Sequence, residues 1–231
     1  MMTLQELKKL LHDAAPQNGY KPIFFKTKPG QYAEHDQFIG VNTPMLKKLT
    51  QQAKDLPLSD ISTLLQSPIN DERQLALLIL IKQYQKSENK EEMYQFLLKH
   101  LKSVNNWNLV DDVAPAIIGP HLYTHDKSIL LQWAQSKDLW ERRIAMVATL
   151  YFIRQNSFEW TLKIATLLLN DTHDLIHKAS GWMLREMGKR DESALRNFLD
   201  MHAATMPRTM LRYAIERLPQ DVRLHYLKLK K

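Results

Sequence analysis

The chain has 231 residues, of which 44% are hydrophobic, enough for a folded protein with a sizeable apolar core. It contains no cysteine, which excludes disulfide bonds, thiolate metal sites and a cysteine nucleophile. The sequence has neither an apolar run of about eighteen residues nor a charged-then-apolar leader, so we expect a cytoplasmic protein outside the membrane.

The positive charge is concentrated in the C-terminal part of the chain. The net charge is +7, yet residues 1–140 carry 16 basic and 15 acidic side chains, whereas residues 141–231 carry 16 and 10. Ten of the eleven arginines lie in that second part. Because the guanidinium fork binds phosphate well, this excess favours a polyanionic partner. A solvated, arginine-rich helical surface explains the charge equally well.

Helical periodicity dominates from the first residues onward. The opening segment 1–15 (MMTLQELKKLLHDAA) predicts an amphipathic helix, and apolar residues recur at helical spacing in 71–84 and 141–155. Thr43 followed by Pro44 indicates a helix with a threonine N-cap. Strand signals are scarce, since the chain has six glycines and no hairpin dipeptide. We therefore predict an all-α protein with helices of roughly ten to fifteen residues.

Similar segments return at a nearly constant interval. They are residues 72–76 (ERQLA), 105–112 (NNWNLVDD), 141–145 (ERRIA), 176–180 (IHKAS) and 207–212 (PRTMLR). The interval is close to 35 residues, which is typical of stacked helical pairs. We predict an α-solenoid of HEAT/armadillo-like helical pairs with a concave basic cleft, formed by a single domain over residues 1–231.

The repeated helices place an unusual set of side chains at equivalent positions. The set consists of Trp107 and Asp111 from one helix, Arg143 from the next, and Lys178, Trp182 and Arg185 from a third. Spacings of three and four residues keep each group on one face of its helix. Two tryptophans, one carboxylate and several cations would then share one surface.

Structural explanations also exist for single members of this set. Trp107 could be a core aromatic residue, as we expect for Trp133 and Trp160. Asp111 could cap its helix or form a buried ion pair with Arg143. The combination of these residues, more than any one of them, favours a functional site.

Five segments resemble the AlkD-type DNA alkylation-repair glycosylases, a family with HEAT-like repeats. They are residues 38–44 (FIGVNTP), 107–111 (WNLVD), 140–143 (WERR), 178–186 (KASGWMLRE) and 207–216 (PRTMLRYAIE), and the similarity covers about residues 30 to 220. One departure is visible, because many members carry an acid directly after the first tryptophan, where this chain has Asn108.

The resemblance implies an activity and a role for each candidate residue. Asp111 would be the catalytic carboxylate, Trp107 and Trp182 would be aromatic walls around the lesion nucleotide, and Arg143 would engage the DNA backbone, with Lys178 and Arg185 beside it on the DNA-binding surface. The implied reaction is hydrolysis of the N-glycosidic bond of N3- and N7-alkylated purines in duplex DNA. It belongs to base excision repair.

The chemistry is consistent with so small a set of groups. An N3- or N7-alkylated purine is already cationic and leaves without protonation, so the enzyme must mainly stabilise an oxocarbenium-like sugar. One ionised carboxylate can do this, and aromatic faces can attract the cationic base. A cation such as Arg143 beside Asp111 would help to keep the carboxyl ionised.

Two other functions fit the same sequence features. One is a catalytically inactive DNA-binding HEAT-repeat protein, and the other is a protein-interaction scaffold. His121 and His125 have a metal-like spacing but no third ligand nearby in sequence, and no phosphate-binding loop occurs. We therefore expect a monomer that needs no metal and no cofactor.

Overall fold

A computed structural model describes residues 2–20 and 22–229 of the chain, and 67% of the structure is helical. They fall into two compact units, Met1–Val113 and Ala114–Lys231, which we call the N-terminal and C-terminal units. The all-α prediction is confirmed, and the only β pairing in the described residues is an isolated bridge between Gln37 and Ile69. The prediction of a single domain over residues 1–231 stays a prediction, as does the concave basic cleft.

The described residues of the N-terminal unit form six α-helices. They are α1 (Leu4–Asp13), α2 (Thr43–Gln52), α3 (Leu58–Leu65), α4 (Asn70–Lys86), α5 (Lys90–Lys99) and α6 (Trp107–Val113), with a 3-10 turn at Leu101–Ser103. Helix α4 contacts α2, α3, α5 and α6, which makes it the centre of this unit. Three of its apolar side chains, Leu75, Leu77 and Leu80, are completely buried.

The C-terminal unit follows the same principle. Its helices are α7 (Gly119–Tyr123), α8 (Ser128–Ala134), α9 (Leu139–Arg154), α10 (Glu159–Leu167), α11 (Asp174–Gly188), α12 (Glu192–His202), α13 (Arg208–Ala214) and α14 (Gln220–Lys228), with a π-helical segment at Ala114–Ile118 and a 3-10 turn at Leu168–Asn170. Helix α9 contacts α7, α8, α10 and α11, and α11 also packs on α12 and α13. No helix of the described residues is long and apolar enough to cross a membrane.

The predicted repeat is visible in the positions at which helices begin. Helices α4, α6, α9, α11 and α13 begin at residues 70, 107, 139, 174 and 208, which gives intervals of 37, 32, 35 and 34 residues. Neighbouring helices of the series contact each other within each unit: α4 with α6, α9 with α11, and α11 with α13. This arrangement is the one expected of a solenoid-like fold.

The arginine of the repeated Glu-Arg pair has the same structural role in both units. In α4, Arg73 donates Nη1 to the carbonyl of Ser67 at 2.7 Å and pairs with Asp36. In α9, Arg142 donates Nη1 to the carbonyl of Ser136 at 2.8 Å and Nε to Asp171 at 2.7 Å. Each arginine therefore ties the start of its helix to the residues that precede it. The recurrence in the sequence reflects this shared contact.

The segment FIGVNTP (38–44) anchors the start of α2 to α4. The carboxylate of Asp71 accepts backbone N–H groups from residues 39, 40 and 41 at 2.8–3.1 Å. Gly40 has φ +81°, and a Cβ there would lie 2.3 Å from the Tyr20 ring. The predicted Thr43 cap is wrong by one residue. Asn42 is the N-cap and accepts from the N–H of Met45 at 3.0 Å, because helical geometry already begins at Thr43.

A close helix crossing in the C-terminal unit depends on Gly181. A Cβ at this position would lie 2.5 Å from both the carbonyl oxygen of Met210 and the Cβ of Tyr213. Only glycine therefore lets α11 and α13 approach this closely. The segment KASGW combines this packing glycine with Trp182 on the same helix.

Helix α1 is attached to α4 through a buried carboxylate. Glu72 is 2% exposed and binds Lys8 Nζ at 3.0 Å and His12 Nε2 at 2.8 Å. Burial raises the pKa of Glu72, but hydrogen bonds from His12, Lys8 and Ser67 and the charge of Lys8 outweigh it, so the pKa lies below its ordinary value of 4.5. The ionised carboxylate is therefore the stabilising form.

We expect Glu72→Gln to lower the free energy of unfolding by about 1.5–3 kcal/mol at neutral pH, as for a buried hydrogen bond to a charged group. Because the folded-state pKa is lowered, this contribution is complete above 4.5 and disappears as the pH falls through the folded-state value. Urea unfolding at a series of pH values from about 7 downward follows this decline. The exposed Glu88→Gln is the control, and a loss for Glu72→Gln that does not shrink as the pH falls would contradict the assignment.

Candidate functional site

Helix α6 carries Trp107 and Asp111 one helical turn apart, on the same face. Both side chains are partly exposed, whereas Leu109, Val110 and Val113 on the same helix are buried. The aromatic ring and the carboxylate are therefore presented together at the surface of the N-terminal unit. The apolar residues of the helix fix it in the core.

The neighbouring face of α6 is tied to α4 by amide hydrogen bonds. The side-chain amide of Asn108 donates to Asn70 Oδ1 at 2.7 Å and to Gln74 Oε1 at 3.2 Å. Gln74 Nε2 in turn donates to Asp112 Oδ2 at 2.8 Å. Asn108 is thus a neutral link in a chain of hydrogen bonds. An asparagine at this position is consistent with its environment, because its amide nitrogen donates to Asn70 and Gln74 and its oxygen accepts from Asn70.

The two adjacent acids of α6 have different environments. Burial raises the pKa of Asp112 above its ordinary value of 3.8, and the charge of Asp111 raises it further. The hydrogen bond from Gln74 lowers the pKa, but the net shift is upward. Asp112 faces α4 together with Asn108, four residues earlier, whereas Asp111 shares the face of Trp107. This difference selects Asp111 as the carboxylate beside the tryptophan.

The start of α6 is held by a buried carboxylate from the irregular segment between α1 and α2. Asp36 accepts Nδ2 of Asn106 at 2.6 Å and Nδ2 of Asn70 at 2.9 Å, and it pairs with the guanidinium of Arg73. The side-chain oxygen of Asn106 then accepts the backbone N–H of Trp107 at 2.7 Å. A continuous chain of contacts therefore runs from Arg73 through Asp36 to the first residue of α6.

Trp107 also has an aromatic neighbour. The ring of Phe25 stacks on it with centroids 5.0 Å apart and 16° between the planes, and Phe25 contacts Phe38 with centroids 4.3 Å apart. One face of the indole is therefore supported by the irregular segment that precedes α2. This contact limits the rotation of the Trp107 side chain.

The other candidate residues lie on α9 and α11 of the C-terminal unit. Arg143 is 5% exposed and donates Nη1 to the carbonyl of Leu175 at 2.7 Å, which joins α9 to α11. Lys178 pairs with Asp174 at 2.8 Å, one turn earlier on α11. Arg185 pairs with Glu216 and lies 3.6 Å from Glu186. The proposed DNA contacts of these three cations stay predictions.

Trp182 borders a surface cleft of about 260 Å³ in the C-terminal unit. The cleft lies between α9 and α11, and Arg190, just after the end of α11, completes it. The side chains around it are Leu150, Ile153, Arg154, Trp182, Glu186 and Arg190. Arg154 and Arg190 are exposed, so the tryptophan lies beside two accessible guanidinium groups. Aromatic and guanidinium groups together suit a nucleotide.

The remaining aromatic and histidine predictions have mixed outcomes. Trp133 is 8% exposed and belongs to the core, as predicted. Trp160 is only partly buried, and Lys163 Nζ lies 4.9 Å from its ring centroid, so the core prediction was wrong there. The rings of His121 and His125 stack with centroids 4.2 Å apart. The predicted lack of a metal stays a prediction.

A family model for DNA alkylation repair enzymes matches residues 4–218, which is nearly the whole chain. The chain belongs to the DNA alkylation repair enzyme family. The resemblance seen in its sequence segments is therefore confirmed, and so is a role in the repair of alkylated DNA. No curated protein sequence matches the chain significantly.

A solved structure supports the fold of this DNA alkylation repair family member. It is described as a predicted DNA alkylation repair enzyme from Enterococcus faecalis, and it superimposes with a TM-score of 0.64. The similarity covers 85% of this chain and 98% of that chain, at 17% sequence identity. At this identity the comparison concerns the fold alone.

Some residues of the site in this alkylation repair family member escaped the sequence analysis. Gln74 had a usable signal, because it occupies the position in ERQLA that Arg143 occupies in ERRIA. Both side chains reach the next helix of the repeat series, to Asp112 and to the carbonyl of Leu175. Phe25 gave no signal, since it lies in an irregular segment without periodicity.

Proposed function

We propose that the protein is a monofunctional DNA glycosylase that hydrolyses the N-glycosidic bond of cationic N3- and N7-alkylated purines in duplex DNA. The observation that carries the proposal is the arrangement on α6. There, the partly exposed Asp111 lies one turn from Trp107, while Asp112 is bonded to Gln74 on another face. Membership of the DNA alkylation repair enzyme family supplies the substrate class, alkylated DNA.

The proposed reaction needs one carboxylate and no general acid. Alkylation leaves a positive charge on the purine, so that the neutral base departs without being protonated. As the bond to C1′ breaks, positive charge moves to the deoxyribose, and the ionised carboxylate of Asp111 stabilises it and orients the attacking water. The products are the free alkylated base and an abasic site. No step of this reaction requires a metal or a cofactor.

The aromatic residues contribute by binding the cationic nucleotide. Phe25 covers one face of Trp107, so a nucleotide would meet the opposite face or the edge of the indole. Trp182 would provide a second aromatic contact. Cation–π attraction between such rings and an alkylated base is worth about 0.5–2 kcal/mol. This attraction weakens as the base loses its charge, so the aromatic rings serve recognition more than the bond-breaking step.

The cations of the C-terminal unit would bind the phosphate backbone. Lys178 on α11 and the two arginines at the rim of the Trp182 cleft, Arg154 and Arg190, are accessible to DNA. Arg143 is mostly buried, and Arg185 is paired with Glu216, so their phosphate contacts would be smaller. We propose that Arg143 acts mainly by adding positive charge to the DNA-binding surface. The partner is duplex DNA, bound by a monomer.

The charge of the lesion provides the test of this proposal. Purified protein is incubated with duplexes that contain either 7-methylguanine, which is cationic, or hypoxanthine or uracil, which are neutral. We expect release of 7-methylguanine and no release of the neutral bases above background, because Asp111 alone cannot protonate a neutral leaving group. Comparable release of neutral and cationic bases would contradict the mechanism. Binding without any release would leave a DNA-binding protein.

A further inference from the structure

The irregular segment before α2 presents two adjacent apolar side chains to solvent. Ile23 is 78% exposed and Phe24 is 73% exposed. No other large hydrophobic side chain in the described part of the chain is more exposed than these two. They occupy the two central positions of a turn, which is closed by a hydrogen bond from the N–H of Phe25 to the carbonyl of Pro22 at 2.9 Å. Central turn positions usually hold glycine, asparagine, aspartate or serine, so two large apolar residues there are unexpected.

The turn is mounted on well-packed neighbours. Phe25, the residue after Phe24, stacks on Trp107 and Phe38. The hydroxyl of Tyr32 donates to the carbonyl of Phe24 at 3.4 Å, and the carbonyl of Lys26 accepts from the N–H of the buried Ala33 at 2.9 Å. The apolar tip is thus joined through one residue to the ring that we place beside the lesion.

Basic residues flank the tip in the sequence. Lys26 and Lys28 follow it and are exposed, and Lys21 precedes the turn in the sequence. Lysines beside an exposed apolar tip match a duplex, in which phosphates border stacked bases. Proteins that bend or open DNA often insert phenylalanine, leucine, isoleucine or methionine side chains between base pairs.

We propose that Ile23 and Phe24 form an apolar wedge that inserts between stacked base pairs next to the lesion nucleotide, while Lys26 and Lys28 hold the flanking phosphates. This inference rests on the proposed function, because it takes duplex DNA as the partner. The stacking of Phe25 on Trp107 determines which base step the wedge enters. It is the step beside the nucleotide that Trp107 contacts.

The test uses a duplex with a stable abasic-site analogue and the fluorescent base 2-aminopurine beside it. Full-length parent protein is expected to raise the 2-aminopurine fluorescence on binding, since unstacking relieves its quenching. The double variant Ile23→Ala/Phe24→Ala is expected to lose most of this rise and to bind roughly tenfold more weakly. Met201→Ala, which truncates a 70% exposed side chain on α12, is the matched control and should behave as the parent.

The lysines are tested by the salt dependence of binding. In the double variant Lys26→Ala/Lys28→Ala, the slope of log Kd against log salt concentration should fall by about 2, one unit for each lost phosphate contact. The 2-aminopurine fluorescence of its saturated complex should stay as in the parent. Circular dichroism melting of all variants verifies that each one is folded.

The outcomes separate this inference from the proposed function. If the double apolar variant matches the parent in fluorescence and affinity, the wedge is refuted even if the parent releases base. If the parent unstacks 2-aminopurine but releases no base, the wedge stands and the glycosylase proposal fails. Sedimentation also tests whether the turn is a protein contact. If the parent protein forms dimers and the apolar double variant does not, the turn binds a second copy of the chain and the wedge is overturned.

Discussion

Replacing Asp111 with asparagine is expected to slow base release from 7-methylguanine duplexes by about 100-fold or more, which corresponds to about 2.7 kcal/mol of transition-state stabilisation. The substitution keeps the size of the side chain and removes its negative charge. It therefore removes the group proposed to stabilise the cationic sugar. Affinity for the duplex should not fall, because a negative charge near the DNA backbone is lost. The measurement is single-turnover base release with protein in excess.

The adjacent acid provides the matched control for this prediction. Asp112→Asn removes the same charge one residue away, on the face of α6 that is bonded to Gln74. An asparagine can still accept this hydrogen bond, so we expect base release within about threefold of the parent, as for a residue that does not touch the substrate. If Asp112→Asn lost activity and Asp111→Asn kept it, the catalytic carboxylate would be Asp112.

Replacing Asp36 with alanine is expected to cost about 3–5 kcal/mol of folding free energy, the usual result of breaking a buried ion pair by removing one partner. The side chains of Asp36 and Arg73 are 0% and 4% exposed, so the substitution leaves a buried guanidinium without its carboxylate. Asn70 and Asn106 each lose an acceptor as well. Urea unfolding at neutral pH measures the loss.

Two further variants make the Asp36 result specific. The exposed Asp55→Ala should change the free energy of unfolding by no more than about 0.5 kcal/mol. The double variant Asp36→Ala/Arg73→Met should recover part of the loss, because no unpaired charge then stays buried. A loss below about 1 kcal/mol for Asp36→Ala would mean that the cluster does not hold the start of α6.

The Asp36 prediction also links stability with function. Asn106 binds Asp36 with its amide nitrogen and the backbone of Trp107 with its oxygen. Release of this contact should loosen the first turn of α6, which carries the proposed aromatic wall and, one turn later, the proposed catalyst. At a temperature at which Asp36→Ala is still folded, its base release should therefore be slower than that of the parent.

Local sequence patterns were sufficient to predict the all-α fold and the spacing of the repeated helices, but not the helix lengths, which range from 5 to 17 residues in the described part of the chain. The recurrence of ERQLA and ERRIA marks equivalent helix starts, because Arg73 and Arg142 make the same contact with a carbonyl six residues earlier. The pairing of Trp107 with Asp111 was also readable, since helical spacing alone determines which side chains share a face.

Long-range contacts from irregular segments could not be predicted in this way. The contacts made by Asp36, Phe25 and Asp71 join residues more than 29 positions apart in the sequence. No periodicity connects these residues with their partners. The N-cap of α2 was misplaced by one residue for a more local reason. Asn42 and Thr43 are both good caps, and only the backbone geometry decides between them.

The most direct test of the central claim is to identify both products formed from a duplex that contains one 7-methylguanine. Mass spectrometry after incubation with the purified protein should find free 7-methylguanine in solution and an abasic site in an otherwise intact strand. This result would mean that the N-glycosidic bond is the one that breaks. A strand that retains an unmodified guanine would contradict the account, because the repair reaction would then have removed the methyl group and left the glycosidic bond intact.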